Sequence, residues 1–380
     1  MHIVMLSEDY LPNIGGVATH VYYLSQNLVK RGHTVTIITK NNKSYKKYVT
    51  EVYDNLTIIR IPIGKLRKID NVLYSLRAST YINNMARTEK IDILHWHTLN
   101  KDSRVIKYLN KEYPIVYTNH LSWFRSLYYQ GKQKKIKNLI SHTDGIICPS
   151  KETKEITTKI FPNLKCKQIA NGVLMPSNLS IKEKDILKQT LNINSQQPIL
   201  ISTNRFEPVK NLKMLINILP KLMSEINNLI VIFIGDGSEL PYLKLQLKES
   251  TNEDQYNRIK FLGRLPVEKV GKYLSISDVF VNTSLTEGMS ISLLEAMSFG
   301  VIPVVTDVGG NRDVIKDHNN GVLVETKNET MLYNNLLDIL NNLDNNDYLR
   351  TNAKTTIFNS FLWPNITDKV INFYNEVINE

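Results

Sequence analysis

Two glutamates eight residues apart make the segment Thr286–Gly300 a candidate ligand site. The hydrophobic run Val279–Asn282 precedes Glu287, and apolar residues at helical spacing surround Glu295, so a strand delivers a loop that opens a helix. Free backbone N–H groups and a partial positive charge at such a helix start suit an anionic or hydroxyl-rich ligand. Because positions i and i+8 lie near one helix face, the two carboxylates can meet both ends of a long polar ligand. The alternative is a pair of solvated glutamates on an exposed helix.

Two cations stand on a second loop, upstream of the glutamates. Arg205 and Lys210 follow the buried-type run Ile199–Thr203 and precede a helical pattern. A fixed pair of cations suits a diphosphate, which needs both charge neutralisation and directional donors. The spacing Arg-x4-Lys alone is a weak signal, and a solvated pair is the alternative. Its position before Glu287 favours a shared site.

Glycine pairs occur on two further loops. Gly235 and Gly237 follow the run Ile230–Ile234, where glycine allows a close backbone approach. This loop is neither a Walker loop nor a complete Gly-x-Gly-x-x-Gly fingerprint. Gly15 and Gly16 follow the first strand and open the first helix, so their N–H groups can approach a phosphate or a reacting sugar. An ordinary tight turn between strand and helix is the alternative.

Histidines end two neighbouring strands of the first half. His95 and His97 close one strand, and His120 follows the next run, Pro114–Thr118. Because ligands of parallel sheets bind at the carboxyl ends of strands, His120 is a candidate binding residue, with His95 and His97 in supporting or structural roles. A zinc site is disfavoured, because no cysteine or carboxylate completes a familiar ligand set. We expect His20 on the surface of the first helix.

Apolar runs alternate with helical patterns, and this rhythm occurs twice, which predicts mostly parallel sheets. We expect an α/β protein of two doubly wound, Rossmann-like domains facing each other across a cleft. The first would hold residues 1–172 with a returning C-terminal helix, 358–380, and the second residues 173–357, with a strand-like run at 169–176 between them. The expected strands are Ile3–Leu6, Thr34–Thr39, Thr57–Ile61, Ile91–His95, Pro114–Thr118, Gly145–Cys148, Ile199–Thr203, Leu229–Ile234, Lys260–Leu262, Val279–Asn282, Ile302–Thr306 and Val322–Glu325.

Length and composition bound the class of protein. A chain of 380 residues with an apolar share of 42% is long enough for two domains with cores of their own. No run of about 18 apolar residues predicts a spanning helix, and the N-terminus does not resemble a signal peptide. Cys148 and Cys166 are expected to be reduced thiols, which favours the cytoplasm.

Charge is unevenly distributed along the chain. Up to residue 175 there are 27 Lys/Arg and 12 Asp/Glu, a net +15, whereas the remainder has 20 and 24, a net −4. A basic half suits nucleic acid, an anionic membrane or an anionic acceptor, and the lack of any nucleic-acid motif disfavours the first. Basic residues beside aromatic ones suit an anionic membrane surface, and a Lys-rich composition bias is the alternative. These clusters are Lys65, Arg67 and Lys68, and then Lys132, Lys134, Lys135 and Lys137 near Trp123, Phe124, Tyr128 and Tyr129.

Together these motifs resemble glycosyltransferase family 4, whose members are retaining enzymes with a GT-B fold. Glu287 and Glu295 match the Glu-x7-Glu pair of the family, and the loop Val308–Asn311 continues the pattern. The opening, residues 1–40, is similar to the catalytic subunits that add N-acetylglucosamine to phosphatidylinositol and to bacterial lipid glycosyltransferases. The chain has Gly-Met-Ser after Glu287, where the family often has Gly-Phe-Gly, and Lys-Asn at residue 210, where Lys-Gly is usual.

The resemblance implies a role for each motif. Glu295 would bind the ribose, Arg205 and Lys210 the diphosphate, and His120 the transferred sugar. The residues implied in catalysis are His120, Glu287, Arg205 and Lys210. Those implied in binding the nucleotide-sugar are Gly15, Gly16, Arg205, Lys210, Gly235, Arg264, Leu265, Gly288, Met289, Ser290 and Glu295.

The activity implied is retaining transfer of a hexosyl group from a nucleotide-sugar, with no cofactor and no metal. A UDP-sugar is expected, with UDP-N-acetylglucosamine as a candidate, and the acceptor would be a cell-envelope, lipid-linked or glycan molecule. The enzyme would be cytoplasmic, with peripheral contact at the inner face of an anionic membrane and no nucleic-acid partner. The alternatives are another GT-B enzyme, such as a sugar-nucleotide epimerase or a transferase acting on a small soluble acceptor, and a non-catalytic GT-B partner protein.

Overall fold

The structure is a computed structural model of the chain. It describes residues 1–12, 15–41, 47–63, 67–99, 101–110, 112–120, 122–177, 179–194 and 196–379, except the side chains at 67–70, 101–103, 122–123 and 267. The chain divides into two compact units, one of Met1–Gly172 with Trp363–Glu380 and one of Val173–Leu362.

The first unit is built on one sheet. Its described strands are β1 (His2–Leu6), β2 (Thr34–Asn41), β3 (Val49–Tyr53), β4 (Leu56–Pro62), β5 (Ile93–Trp96), β6 (Ile115–Thr118), β7 (Gly145–Cys148) and β8 (Lys165–Gln168). They lie in the order β3-β4-β2-β1-β5-β6-β7-β8, and every neighbouring pair is parallel except β3 with β4. The central strands are buried, as expected of a parallel sheet that is covered by helices on both faces.

Helix α1, Gly16–Lys30, shows how local sequence builds this unit. Val21, Leu24 and Leu28 recur at helical spacing and are fully buried, while Gly32, with a φ of 78°, follows the helix end. The expectation of an amphipathic helix ended by a glycine is confirmed. The next helices are α2 (Arg67–Thr88), α3 (Lys101–Lys107), α4 (Ser122–Tyr129), α5 (Gln133–Ile140) and α6 (Lys151–Ile160).

The second unit repeats the architecture with a second parallel sheet. Its described strands are β9 (Ile199–Thr203), β10 (Ile230–Ile234), β11 (Ile259–Phe261), β12 (Val279–Asn282), β13 (Ile302–Thr306) and β14 (Val322–Val324), in the order β11-β10-β9-β12-β13-β14. Its helices are α7 (Ile181–Thr190), α8 (Lys213–Glu225), α9 (Leu240–Ser250), α10 (Glu253–Asn257), α11 (Val267–Leu274), α12 (Ile291–Ser298), α13 (Asn311–Val314), α14 (Glu329–Asn341) and α15 (Asp347–Ser360). The prediction of two doubly wound α/β domains is confirmed.

The last helix, α16 (Trp363–Ile378), belongs to the first unit. Its apolar face, which includes Trp363, Val370 and Phe373, packs into a core with Ile3 and other residues of the sheet. The return begins at Trp363 and not at residue 358 as expected, because α15 buries its own apolar face within the second unit.

One further local expectation was wrong, and three elements were missed. Strands β3 and β8 were missed, because β3 is an edge strand with a mostly exposed surface and β8 carries the polar sequence Lys-Cys-Lys-Gln. The run 169–176 is not a strand, since Val173 forms only an isolated bridge with Leu362. The third missed element is α7, which follows this run and starts at a capping box of Ser180 and Glu183.

Candidate functional site

The loop after β12 holds the first predicted glutamate in a buried polar network. The Oε1 atom of Glu287 accepts hydrogen bonds from Lys210 Nζ at 2.5 Å, Ser284 Oγ at 2.7 Å and Asn282 Nδ2 at 3.3 Å. Only 10% of the Glu287 side chain and 15% of the Lys210 side chain are exposed. The opposite charges therefore compensate each other in a poorly solvated place.

Lys210 is positioned by the loop that follows β9. It closes a short 3-10 turn, Pro208–Lys210, and Asn211 ends that turn in the left-handed conformation with a φ of 48°. The Oγ1 atom of Thr283 donates to the carbonyl oxygens of Lys210 and Asn211, at 3.1 and 2.9 Å. The loops after β9 and β12 are thereby joined, which brings two residues 77 positions apart into contact.

Helix α12 carries the second glutamate. Ser290 caps the helix, its Oγ accepting from the backbone N–H of Leu293 at 3.3 Å. Glu295 lies one turn further on the helix, and burial raises the pKa of its carboxyl group to about 7. At neutral pH, a carboxyl group with that pKa is ionised in only a fraction of the molecules.

Close backbone packing explains the glycines of this unit. A Cβ atom at Gly235 would lie 1.9 Å from the Asn204 carbonyl oxygen, and one at Gly237 would lie 2.4 Å from that of Phe206. At Gly310, a Cβ atom would lie 2.4 Å from the carbonyl oxygen of Gly288. The glycines therefore let two pairs of loops, those after β9 and β10 and those after β12 and β13, pack without side chains between their backbones.

The remaining predicted residues of this unit lie on the same loops. Arg205 follows β9 and Arg264 follows β11, both with exposed side chains, and Leu265 is half-buried. The backbone N–H of Gly235 donates to the carbonyl oxygen of Gly263 at 2.8 Å, which joins the loops after β10 and β11. All these loops leave the carboxyl ends of parallel strands, where ligands bind in such sheets.

The first unit contains a cluster of imidazoles. His97 Nδ1 and His120 Nε2 are 3.1 Å apart and share a hydrogen bond, and His20 Nδ1 lies 3.2 Å from Asn171 Oδ1. Burial lowers the pKa of His20 to about 4 and holds the pKa values of His97 and His120 well below the usual range, so all three rings are neutral at pH 7. His20 is buried, contrary to the expectation of a surface position.

His95 is bonded separately from this cluster. Its ring nitrogens contact the Tyr374 hydroxyl at 2.5 Å and the Thr118 hydroxyl at 2.6 Å. These contacts tie β5 to β6 and to α16, which fits the expected structural role.

The histidine cluster has the donor set of a metal site. His20, His97 and His120 each offer one nitrogen, and these atoms lie within 4.8 Å of one another. Neutral imidazoles are metal ligands. A zinc site was disfavoured from the sequence because no cysteine or carboxylate completes a familiar ligand set, whereas the structure brings three histidines together. That the protein needs no metal stays a prediction.

Some predicted residues of the first unit are less fully described. Gly15 and Gly16 are exposed at the start of α1, and the preceding loop residues Asn13 and Ile14 lie outside the described residues. Lys65 lies outside them too, as do the side chains of Arg67, Lys68 and Trp123. In the second basic cluster, Lys132, Lys134, Lys135 and Lys137 are exposed, Phe124 is buried, Tyr128 is half-buried and Tyr129 is exposed.

Within the described ranges, no helix combines the length and the apolar character needed to cross a membrane. Cys148 is buried and Cys166 half-buried, and both thiols are free.

Two contributors to the network, Asn282 and Ser284, were not predicted. Asn282 ends β12 and its amide reaches Glu287, yet a single asparagine after an apolar strand gave no functional signal. The contact between Lys210 and Glu287 was also unforeseen, because no sequence pattern links residues on different loops.

Known proteins show the same two-part organisation. The model of Glycosyltransferase Family 4 matches residues 14–174, and that of Glycosyl transferases group 1 matches residues 183–356. Between them these two families account for most of the chain.

Individual relatives match along most of their length. The GPI3 subunit of phosphatidylinositol N-acetylglucosaminyltransferase from Saccharomyces cerevisiae is 28% identical over 83% of this chain and 70% of its own. Alpha-monoglucosyldiacylglycerol synthase from Acholeplasma laidlawii is 27% identical over 87% of this chain and 86% of its own. Among solved structures, HepE of Anabaena in complex with UDP-glucose superposes with a TM-score of 0.78 at 17% identity, over 99% of this chain and 100% of that one. The chain is a glycosyltransferase with a GT-B fold, and its two units match the models of Glycosyltransferase Family 4 and of Glycosyl transferases group 1.

Proposed function

We propose that the protein transfers a hexosyl group from a nucleotide-sugar, with a UDP-sugar as donor, to a lipid-linked or cell-envelope acceptor. The observation that carries the proposal is the buried contact between Lys210 and Glu287, at the carboxyl ends of β9 and β12 and beside the start of α12. A donor diphosphate needs a fixed cation, and a sugar needs a fixed carboxylate acceptor for its hydroxyl groups. Both are present within one network.

The donor would bind along the loops of the second unit. Arg205, Lys210 and the N-terminus of α12 would stabilise the diphosphate, and Glu295 would accept hydrogen bonds from the ribose hydroxyls. Glu287 and the backbone of 288–290 would contact the transferred sugar, and the loops at Gly235, Arg264 and Leu265 would lie near the base. The role of His120 in orienting that sugar stays a prediction.

The proposed reaction retains the configuration at the anomeric carbon. The bond between the anomeric carbon and the diphosphate oxygen breaks, and a bond to the acceptor hydroxyl oxygen forms on the same face. The acceptor proton passes to the departing phosphate, so a nucleoside diphosphate and a glycoside are the products. Positioning and charge neutralisation by Arg205 and Lys210 would supply the rate enhancement, without a metal.

A lipid acceptor is favoured by two observations. The names of two relatives refer to phosphatidylinositol and to diacylglycerol. In this chain, α5 and its flank present exposed lysines at 132, 134, 135 and 137, and such a surface is attracted to anionic lipid. The enzyme would therefore act in the cytoplasm, in peripheral contact with an anionic membrane.

The donor is tested by measuring nucleotide release from UDP-, GDP- and ADP-sugars with the purified chain. We expect release from a UDP-sugar, and its loss in Lys210→Ala and in Glu295→Ala. Release that is equal in these variants would place the donor elsewhere. No release from any donor would favour a non-catalytic partner protein.

The acceptor is tested by adding vesicles of phosphatidylcholine with about a quarter of anionic lipid, a composition in which each nearby lysine contributes about 1 kcal/mol. We expect vesicle binding and faster release, both reduced by the double variant Lys134→Glu/Lys135→Glu. Lys248→Glu, an exposed position of α9, is the matched control. Transfer to a soluble acceptor with no effect of vesicles would support the alternative acceptor class.

A further inference from the structure

We infer that Asn282 is a positioning residue, which holds Glu287 in register for sugar transfer and links it to the start of α12. Asn282 is fully buried at the end of β12. Its Nδ2 atom lies 3.3 Å from Glu287 Oε1 and 3.4 Å from Ser290 Oγ. The inference rests on the proposed function, in which Glu287 contacts the transferred sugar.

The amide of Asn282 is used as both donor and acceptor. Its Oδ1 atom accepts a hydrogen bond from the backbone N–H of Ser284 at 2.9 Å, which fixes the backbone at the start of the loop. Its Nδ2 atom is also 3.3 Å from Asn204 Oδ1, so two hydrogens have three acceptors within reach. A carboxylate in this place would keep the acceptor and lose the donor, and an aliphatic side chain would lose both.

Asn282 contributes something to Glu287 that Lys210 cannot. The lysine supplies charge on a flexible stem, whereas the amide is neutral, short and held by the strand. Together with the Ser284 hydroxyl at 2.7 Å, the amide therefore orients the carboxylate without adding to its electrostatic neutralisation. Since the same Nδ2 atom is near Ser290, the cap of α12, the carboxylate and the helix that bears Glu295 share one anchor.

Misplacement of a carboxylate that acts on the reacting sugar lowers the rate more than it lowers donor affinity. We therefore expect Asn282→Asp to reduce kcat with UDP-N-acetylglucosamine by at least about tenfold, while KM for that donor changes by less than about threefold. The new carboxyl group would face the carboxyl group of Glu287, and two carboxyl groups in contact cannot both ionise easily, because their negative charges repel each other. The acidic limb of the pH profile of kcat/KM should therefore move to higher pH.

A double-mutant cycle separates a positioning role from a structural one. It uses Asn282→Asp, Glu287→Gln and the double variant, in which the amide and the carboxylate exchange places. We expect Asn282→Asp alone to lower the thermal midpoint and the double variant to recover much of that loss, because a donor again faces an acceptor. We expect kcat of the double variant to equal that of Glu287→Gln, because Asn282 acts through the carboxylate that is already gone.

Asn320→Asp is the matched control. Asn320 is equally buried in the second unit. Its Nδ2 atom donates to Val314 O and to Thr356 Oγ1, at 3.0 Å each, and its Oδ1 atom accepts from the Lys316 N–H at 2.7 Å. It makes no contact with Glu287 among the described residues. We expect this variant to lose stability with an unchanged pH profile and with kcat within about twofold of wild type.

The inference is overturned if the two substitutions have additive effects on kcat, or if Asn282→Asp behaves as Asn320→Asp does. It is also overturned if Asn282→Asp raises KM as much as it lowers kcat. A wild-type chain that releases no nucleotide from any donor would remove the proposed function and the positioning role with it. A coupled thermal cycle in that case would report a structural contact only.

Discussion

At the scale of single residues, Lys210 and Glu287 depend on each other. Both side chains are largely buried, and removal of either one leaves the charge of the other uncompensated. In the proposed function, the same lysine also binds the diphosphate of the donor. The pair would then couple the stability of the second unit to donor binding.

Lys210→Met tests this dependence. We expect the free energy of unfolding to fall by about 1–3 kcal/mol, below the usual cost of breaking a fully buried pair because both side chains keep some exposure. Urea unfolding measures the change. Lys213→Met, at an exposed position in the first turn of α8, should change stability by less than about 0.5 kcal/mol. Equal effects of the two variants would contradict a stabilising role for the pair.

Glu295 gives a pH dependence with a definite sign. Its pKa is raised by burial from 4.5 to about 7, so the folded protein prefers the protonated form. The stability that this preference contributes is fully present below pH 4.5 and is lost as the pH rises through about 7. Glu295→Gln, which is neutral at every pH, should therefore be more stable than wild type at pH 8, by up to about 3 kcal/mol, and similar at pH 4.5.

Urea unfolding of both proteins at pH 4.5, 6, 7 and 8 measures that difference. A gap that does not grow with pH would show that Glu295 is not the titrating group. The affinity of the wild type for the donor should rise with pH over the same range, while its stability falls. The reason is that the ionised carboxylate accepts hydrogen bonds from two ribose hydroxyls.

At the scale of elements, the cap of α12 links the helix to the site. Ser290→Ala removes the side-chain acceptor of the Leu293 N–H and should cost about 1 kcal/mol of stability. Because the loop 287–290 lies at that cap, donor affinity should fall as well, by about threefold to tenfold. Ser180→Ala, which removes the cap of α7, should cost a similar stability and leave donor affinity unchanged. Titration calorimetry with the donor and urea unfolding separate these effects.

The sequence was sufficient for elements with a strong apolar pattern. Buried runs such as Ile230–Ile234 and Ile302–Thr306 predicted strands, because parallel strands covered on both faces are apolar without interruption. The edge strand β3 was missed because its exposed surface needs no such run. Helix α7 was missed because none of its residues is buried, so its capping box is its main local signal.

The candidate site could be predicted only in part, because sequence patterns indicate single residues but not the contacts between them. Glu287 and Lys210 could be named because each follows a recognisable strand and loop, but their contact depends on how two loops fold against each other. The imidazole cluster of His20, His97 and His120 is another product of topology, since its members come from three separate segments. Sequence spacing carries no information on such contacts.

At the scale of the whole molecule, α16 makes the two ends of the chain part of one core. The side chain of Phe373 is 1% exposed. The Trp363 ring packs so closely on Gly172 that a Cβ atom at that position would lie 2.4 Å from the ring. Phe373→Ala should therefore lower the free energy of unfolding by about 3–5 kcal/mol. Phe358→Ala, at a 36% exposed position of α15, should cost less than about 1 kcal/mol. Similar losses in chemical denaturation would contradict the packing of α16.

The central claim is that the second unit holds a nucleotide-sugar through Glu295, Glu287 and Lys210. Titration of UDP into the purified chain tests it most directly, because binding requires neither an acceptor nor a membrane. We expect one UDP to bind per chain, with affinity reduced by at least about tenfold in Glu295→Ala and unchanged in Lys213→Met. Absence of binding to the wild type, or equal affinity in wild type and Glu295→Ala, would contradict the account.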